Sequence, residues 1–564
     1  MRNRWRGGLQ AAVRWLILVH RYLGIPLSVL FVVWFASGIV MMYTRDMPRL
    51  TPELRLERLP GLDFDRIALA PAAAAGRAYL SPTPQSAVLL TVLGRPAYRF
   101  DGVTVFADTG ERLDRVGSAA AVAVASRFTG RPVEAVEYVG ALTEPDQWTL
   151  VERGQLPLHK LVIDDGAGSQ VYVSPRTAEV VMLTTRRSRA LAWLGAIPHW
   201  FYFAALRANQ PLWYDVVVWT STLGCLLAVV GLVLGVTQFR WRRPDHDGGS
   251  RTRIPYAGWM RWHYLTGVVF GLVTLTWVFS GLLSMEPYAW TSARGLDVPP
   301  DALSGGPVDL ARFPAWEPRA WERLAGGRPV KEIDLLRIQD EPYYAVRVGS
   351  GPVGAQPADA GRRRRANAGG GRVDTGPLLV AADTLAPREE PFGTDSLLAW
   401  LTAAVPGVPV IEAALLDDYD SYYYARGDAR RRQAPLPVLR VRFGDPMETW
   451  VYVDPALGRL VAREHRFTRV ERWLFNGLHS LDFAFWYDRR PLWDAGLIAL
   501  SLGGLASSGL GLWIGGGRIR RAIGRWLTRA GARRTTRGAP QGRGPGSLGP
   551  PARPRRGPGS PDRP

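Results

Sequence analysis

HWFYFAALRANQPLWYDVVVWTSTLGCLLAVVGLVLG at residues 199–235 and HSLDFAFWYDRRPLWDAGLIALSLGGLASSGLGLWIG at residues 479–515 are two versions of one pattern. A single offset, 479 − 199 = 280, lays His199 on His479, Pro211 on Pro491 and Trp213 on Trp493. The same offset lays Gly224, Gly231 and Gly235 on Gly504, Gly511 and Gly515. Each version sets a histidine in an aromatic, apolar stretch just ahead of a run long enough to cross a bilayer. The chain therefore enters the membrane twice in the same way, and an internal repeat decides the fold.

The repeat reaches upstream without a gap. Leu156-Pro157 falls on Leu436-Pro437, Asp165 on Asp445, Val171 on Val451 and Pro175 on Pro455. Arg186 and Arg189 fall on Arg466 and Arg469, and Trp193-Leu194 on Trp473-Leu474. Further back the offset becomes 263 − 20 = 243. There His20 pairs with His263, Gly24 with Gly267, Trp34 with Trp277, Ser37-Gly38 with Ser280-Gly281 and Met42 with Met285. The second copy is longer by 280 − 243 = 37 residues, much of it in the Arg/Gly stretch Gly351–Gly376, which reads as a flexible loop.

Four apolar runs, Trp15–Tyr43, Trp213–Gln238, Tyr264–Met285 and Trp493–Gly515, each approach or exceed the roughly 20 residues of a spanning helix. The first is too long for the apolar core of a secretory signal and is expected to be retained. The net charge of +20 is concentrated in three segments. Arg2, Arg4, Arg6 and Arg14 precede the first run. Arg240, Arg242, Arg243, Arg251, Arg253 and Arg261 connect the second and third. Thirteen arginines and one aspartate follow Gly517. Alternating helices put all three on one side, which the positive-inside rule makes the cytoplasm. Both termini are then expected inside a bacterial-type inner membrane. The basic tail lacks aromatic interleaving after Trp526 and is assigned to anionic membrane lipid, with no nucleic-acid partner. The lone cysteine, Cys225, excludes disulfides within the chain, cysteine-ligated iron–sulfur clusters and covalent haem attachment.

The expected fold is an α-helical membrane protein: four transmembrane helices in a pseudo-two-fold bundle, with two α+β extracytoplasmic domains. In chain order the expected parts are an inner N-terminus (1–15), the first span (16–43), the first outer domain (44–187) and an interfacial segment (188–212). The second span (213–238), a basic inner loop (239–262) and the third span (263–286) follow. Then come the second outer domain (287–467, with its loop at 351–376), a second interfacial segment (468–491), the fourth span (492–515) and a disordered basic tail (516–564). Val171-Tyr172-Val173 and Val451-Tyr452-Val453 alternate as strands before turns at Pro175 and Pro455. Ala119–Phe128 and Ser396–Ala404 read as helices.

Of seven histidines, four recur as two pairs: His20 with His263 and His199 with His479. His159 and His465 have no counterpart, and His246 sits in a polar inner loop. His20 and His263 lie at the inner ends of their spans, where an ionisable side chain is costly and functional. His199 and His479 lie at the outer face. Gly24 and Gly38 share the His20 face of the first helix and admit a flat group or a neighbouring helix. The Gly231-x-x-x-Gly235 and Gly511-x-x-x-Gly515 pairs read as helix packing. Zinc, copper and haem iron all accept imidazole. Dispersed pairs with apolar walls favour b-type haem, two per chain, with the four histidines as iron ligands.

His20-Arg21-Tyr22-Leu23-Gly24 followed by Ser37-Gly38 resembles the first span of the PepSY-associated transmembrane family, as does His263 through Ser280-Gly281. The Val-Tyr-Val-Ser-Pro and Val-Tyr-Val-Asp-Pro-x-x-Gly-Arg stretches resemble the end of a PepSY domain. The resemblance covers most of the chain apart from the tail and the Arg/Gly loop. Ala178 departs from the second copy's turn glycine, Gly458. The family includes inner-membrane ferric-siderophore reductases. The resemblance thus implies PepSY-like outer domains and electron transfer through haem to a ferric chelate or siderophore outside, His20 and His263 serving an inner haem and His199 and His479 an outer one. Arg21 or Arg261 is close enough in sequence to pair with haem propionates. No Gly-x-Gly-x-x-Gly run opens a helix, so the electron donor is expected to be another molecule in the membrane or cytoplasm, such as a quinol. The alternative is a non-catalytic, membrane-anchored PepSY binding, sensor or peptidase-inhibitor module. The acidic, aromatic run Asp417-Asp418-Tyr419-Asp420-Ser421-Tyr422-Tyr423-Tyr424 suits either.

Overall fold

The computed structural model describes residues 2–44, 46–239, 254–288, 294–349, 376–425, 434–487 and 489–537. His246, the bulk of the Arg/Gly loop and residues 538–564 lie outside them.

Among the described residues four helices are long and apolar enough to cross a membrane: α1 (Arg2–Thr44), α6 (Gln210–Thr237), α7 (Gly258–Leu283) and α11 (Leu492–Arg537). α6 begins where its sequence dictates. The Asn209 side chain caps the Leu212 N–H at 3.2 Å, and Pro211, which has no N–H to satisfy, occupies the first turn. α11 differs from expectation. The fourth span was expected to end at 515, yet the helix continues to Arg537. No proline interrupts it before Pro540, and its Arg, Ala, Ile and Leu residues all favour helix. α1 packs against α6 and α11, and α7 packs against the same two. The ring order α1–α6–α7–α11 sets the repeat-related helices diagonally opposite, as a central pseudo-two-fold requires. Glycines set the close contacts: a Cβ at Gly224 would meet Val278 at 3.0 Å and Phe31 at 3.2 Å. Leu27, Phe31, Phe35, Leu227 and Val278 fill the bundle centre.

Outside the bundle, each copy forms a four-stranded antiparallel meander. The first contains β4 (Val136–Leu142), β5 (Leu158–Ile163), β6 (Ser169–Val173) and β7 (Val180–Thr184). Helix α3 (Ser118–Thr129) lays Ala121 and Ala125 onto the inward Leu161, Ile163, Val171 and Val173. The second contains β11 (Val410–Leu416), β12 (Val438–Phe443), β13 (Trp450–Asp454) and β14 (Arg459–Glu464). Helix α8 (Thr394–Ala404) covers it through Leu397 and Leu401. These are the two α+β domains, in a membrane protein with four candidate spans.

The two domains are not separate bodies. Strands β1 (Ala87–Val92), β2 (Arg95–Phe100) and β3 (Val103–Phe106) join β8 (Val330–Ile338), β9 (Glu341–Val348) and β10 (Leu378–Ala381) in one six-stranded sheet, ordered β10-β9-β8-β1-β2-β3. The hairpin pairs Val92↔Arg95 and Ile338↔Glu341 superpose at 338 − 92 = 246. At the junction Val88 pairs with Asp334, and 334 − 88 = 246 again, so that pair is its own equivalent. Flanking it, Ala87 pairs with Leu335 and Leu89 with Ile333. The pseudo-two-fold axis therefore passes through Val88 and Asp334, with the self-complementary register of an isologous contact.

Candidate functional site

The structure brings the four recurring histidines together as two pairs. The rings of His20, on α1, and His263, on α7, have centroids 6.2 Å apart, with planes inclined by 40°. The rings of His199 and His479 have centroids 6.1 Å apart at 80°. Each pair joins diagonal partners across the bundle axis. Counted along α1 from His20 to Ser37, the pairs stand about 25 Å apart at 1.5 Å per residue.

His199 ends α5 (Ala196–His199), which follows α4 (Arg186–Leu194); His479 lies in α10 (Leu478–Ser480), beyond α9 (Arg466–Arg472). The outer domains hold both segments. Asp146 caps the Trp148 and Thr149 N–H groups and accepts from Lys160 Nζ and Tyr172 Oη, both at 2.7 Å. The next residue grips the histidine segment: Gln147 Nε2 donates to the Tyr202 carbonyl at 2.7 Å, and its Oε1 accepts from the Ala204 N–H at 2.9 Å. In the second copy Asp420 accepts from the Tyr422 and Tyr423 N–H groups, Arg440 Nη1 at 3.1 Å and Tyr452 Oη at 2.9 Å. The Ser421 carbonyl then accepts from Arg472 Nε at 2.8 Å. The acidic, aromatic run is thus chiefly a structural brace, its Tyr423 buried and stacked on Tyr452 with centroids 4.9 Å apart.

Hydrogen bonds define which ring nitrogen is free. Ser37 Oγ donates its only proton to the Val33 carbonyl at 2.6 Å, so its 3.0 Å contact with His199 Nδ1 is an imidazole N–H donating to oxygen. His479 Nδ1 faces Ser280 Oγ at 3.0 Å and the Trp277 carbonyl at 3.2 Å, and a carbonyl only accepts. His263 Nδ1 donates to the Ser507 carbonyl at 3.0 Å. His20 Nδ1 is buried and faces the backbone of Leu227, the counterpart of Ser507, without the close contact that His263 makes. Protonation at Nδ1 leaves the Nε2 lone pairs of His199, His479 and His263 for a ligand.

A glycine on a neighbouring helix faces every ring. Built Cβ atoms would lie 3.0 Å from His20 Cε1 at Gly231, 3.2 Å from His263 Cε1 at Gly511, 3.5 Å from His199 Cε1 at Gly38 and 3.9 Å from His479 Cε1 at Gly281. Gly231 and Gly511, expected to serve helix packing, therefore seat His20 and His263. Their companions Gly235 and Gly515 do pack helices, against Val268 and Ile25. Gly24 and Gly267 meet Leu227 and Ser507.

The buried donors without acceptors include the indole N–H groups of Trp34 and Trp277, Arg21 Nε and Arg472 Nη1, alongside arginine nitrogens elsewhere in the molecule. Arg518 lies near Arg21 and His263 at the inner pair, while Arg261 is exposed. Among the described residues the unpaired histidines, His159 and His465, lie apart from these sites. His159 is buried between Tyr138 Oη at 3.0 Å and the Val116 carbonyl at 2.8 Å, and His465 precedes α9.

The arrangement fits a flat metal-bearing macrocycle at each pair. At these centroid separations both imidazoles of a pair could reach one ion with metal–nitrogen bonds of roughly 2 Å. Among the described residues no three His, Cys, Asp or Glu side chains gather into a metal-binding group, so any such ion needs its remaining ligands from elsewhere. Sequence reading missed the serine partners, although Ser37 and Ser280 stood in the repeat, and it missed Arg472, which has no repeat partner.

The model of one protein family, the PepSY-associated TM region, matches residues 17–403, more than half of the chain. The matched span holds His20, His199 and His263, and the internal repeat supplies His479. No curated protein matches.

Proposed function

The chain belongs to the PepSY-associated TM region family, and on that premise we propose that it is a transmembrane electron-transfer protein holding haem b at two bis-histidine sites and reducing ferric chelates of the siderophore type. The electron donor is a quinol or a cytoplasmic carrier, and the acceptor lies on the periplasmic side of a bacterial inner membrane. The observation that carries the reading is the pairing of the repeat-related imidazoles at 6.2 and 6.1 Å, each ring beside a glycine.

His20 and His263 would hold the inner group, and His199 and His479 the outer. Bound haem b supplies a one-electron ferric/ferrous couple. The chain orients it. Ser37, Ser280 and the Ser507 carbonyl fix ring tautomers, as outer partners of metal-bound histidine do. Arg21, with a buried Nε lacking an acceptor, suits an anionic edge at the inner site. Leu27, Phe31, Phe35, Leu227 and Val278 keep water out of the bundle centre between the pairs.

The test is a visible spectrum and a pyridine haemochrome count on protein purified in mild detergent. Two low-spin b-type haems per chain are expected, falling by about half in His20→Ala or His199→Ala. Haem at no more than trace level would leave the outer domains as binding or inhibitor modules on a four-helix anchor.

A further inference from the structure

Arg472 has a geometry that its local contacts do not use up. Its side chain is only 10% exposed. Nε donates to the Ser421 carbonyl at 2.8 Å and Nη2 to the Asp482 carbonyl at 2.9 Å, while the guanidinium lies 4.1 Å from the Trp473 ring centre and 5.0 Å from that of Tyr424. Nη1 is buried and has no acceptor. The Asp482 carboxylate stands 3.7 Å from Nη2, an ion pair that leaves Nη1 open. A buried guanidinium donor without an acceptor carries a desolvation cost that an anionic partner removes.

Its place beside the His479 turn narrows the choice of that partner. Arg472 ends α9 and bonds to residue 482, so it spans the turn that carries His479. It lies on the outer-domain side of that turn, tied to the β11–β12 loop through Ser421. Charge is costly toward the apolar bundle centre, so acid groups on a ligand held between His199 and His479 would face outward. The first copy has Ala192 at the equivalent position, 472 − 280, so the cation comes from one copy alone.

We propose that Arg472 binds a carboxylate of the outer macrocycle, making the outer site specific for a metallomacrocycle that carries acid side groups. The proposal rests on the haem reading above. The positive charge favours the reduced state, which has one positive charge fewer, and so raises the midpoint potential of the outer group.

The experiment is a redox titration of the full-length protein in detergent, with His199→Ala assigning the outer component. In Arg472→Gln the outer midpoint potential is expected to move to more negative values while the inner one stays. Arg472→Lys should restore most of the shift, which a merely structural arginine would not do. If Arg472→Gln loses its outer haem, recovery of both haem and potential in Arg472→Lys supports the proposal, and no recovery overturns it. Unchanged potentials at full haem content in Arg472→Gln overturn it while leaving the two-haem reading intact. A wild-type protein without haem overturns both.

Discussion

Ser37 has one hydroxyl proton, and its destination decides the chemistry of His199. Because Val33 takes it, the serine oxygen accepts from Nδ1 and the opposite nitrogen stays free. Ser37→Ala leaves Nδ1–H without that acceptor and lets the ring turn. Loss of a partner of this kind lowers affinity about 10- to 100-fold. Haem titration of the apoprotein should show that weakening at the outer site and none at the inner. A second single-residue effect belongs to the turns after β6 and β13. Ala178 and Gly458 are equivalent and both left-handed, at φ 52° and 54°. Ala178 tolerates this because its methyl group is buried with Leu90, Val92 and Phe106. At Gly458 a Cβ would stand 2.5 Å from Ile338 Cγ2. Gly458→Ala should therefore cost about 2–4 kcal/mol, backbone strain and overpacking combined, measurable by thermal unfolding. Ala178→Gly should fall close to neutral, since relief of strain offsets a lost buried methyl group.

At the scale of elements, the Asp146 and Asp420 loops tie each meander to its histidine segment. Asp420→Asn weakens the charge-assisted bond from Arg440 and loosens the loop whose Ser421 carbonyl holds Arg472. The expected result is faster loss of the outer haem to a haem-scavenging protein, with the inner haem retained. Equal loss from both sites would mean that the loop serves only general stability. Elements were legible in the sequence to the extent that their physics is local. Apolar length marked the four helices, and the 243 and 280 offsets marked the paired histidines before any distance was known. The continuation of α11 was not legible, because arginine and glycine composition resembles a tail while single-residue helix propensity remains favourable. Nor was the loop brace: Asp146 and Asp420 stand 274 residues apart, off the main offset, because the loops that carry them differ in length.

At the scale of the whole molecule, the shared six-stranded sheet makes the outer domains one unit. Alternating hydrophobicity marks a strand, yet it says nothing of whether the neighbour comes from the same copy, so this junction was hidden from the sequence. Charge stitches it as well. Arg99 and Arg55, the latter on α2 (Pro52–Arg58), both bind Glu179; Arg55 Nη1 also reaches Glu332 at 2.7 Å; Arg347 Nη1 reaches Glu332 at 2.9 Å and Asp334 at 2.5 Å. The chain of charges runs from β2 of one copy to the pseudo-axis residue Asp334 of the other. Burial works against an ionised Glu179, but the Arg99 and Arg55 guanidinium groups outweigh it and hold its carboxyl below the usual range. Asp334 is pushed up by burial and by Glu332, more than Arg347 offsets. The two groups have opposite signs in stability. Glu179 contributes in full above its unfolded value of about 4.3, and that contribution is lost as pH falls through its lower folded value. Protonated Asp334 contributes at low pH, and that contribution is lost as pH rises through its raised folded value. On acidification Asp334 therefore takes its proton first, easing its repulsion with Glu332, and the junction weakens only when Glu179 follows. Glu179→Gln should cost about 2 kcal/mol at neutral pH by leaving the half-buried Arg99 and Arg55 guanidinium groups undercompensated, with Arg55 retaining Glu332, and should flatten the loss of stability in acid. Asp334→Asn keeps the Arg347–Glu332 pair and removes the repulsion, so its neutral-pH stability should equal or exceed that of the wild type. Thermal unfolding of the full chain in detergent between about pH 2 and pH 8 separates these outcomes. Parallel profiles for wild type and Glu179→Gln would show that the charges across the junction are passengers and that the β1–β8 pairing alone holds the two copies together.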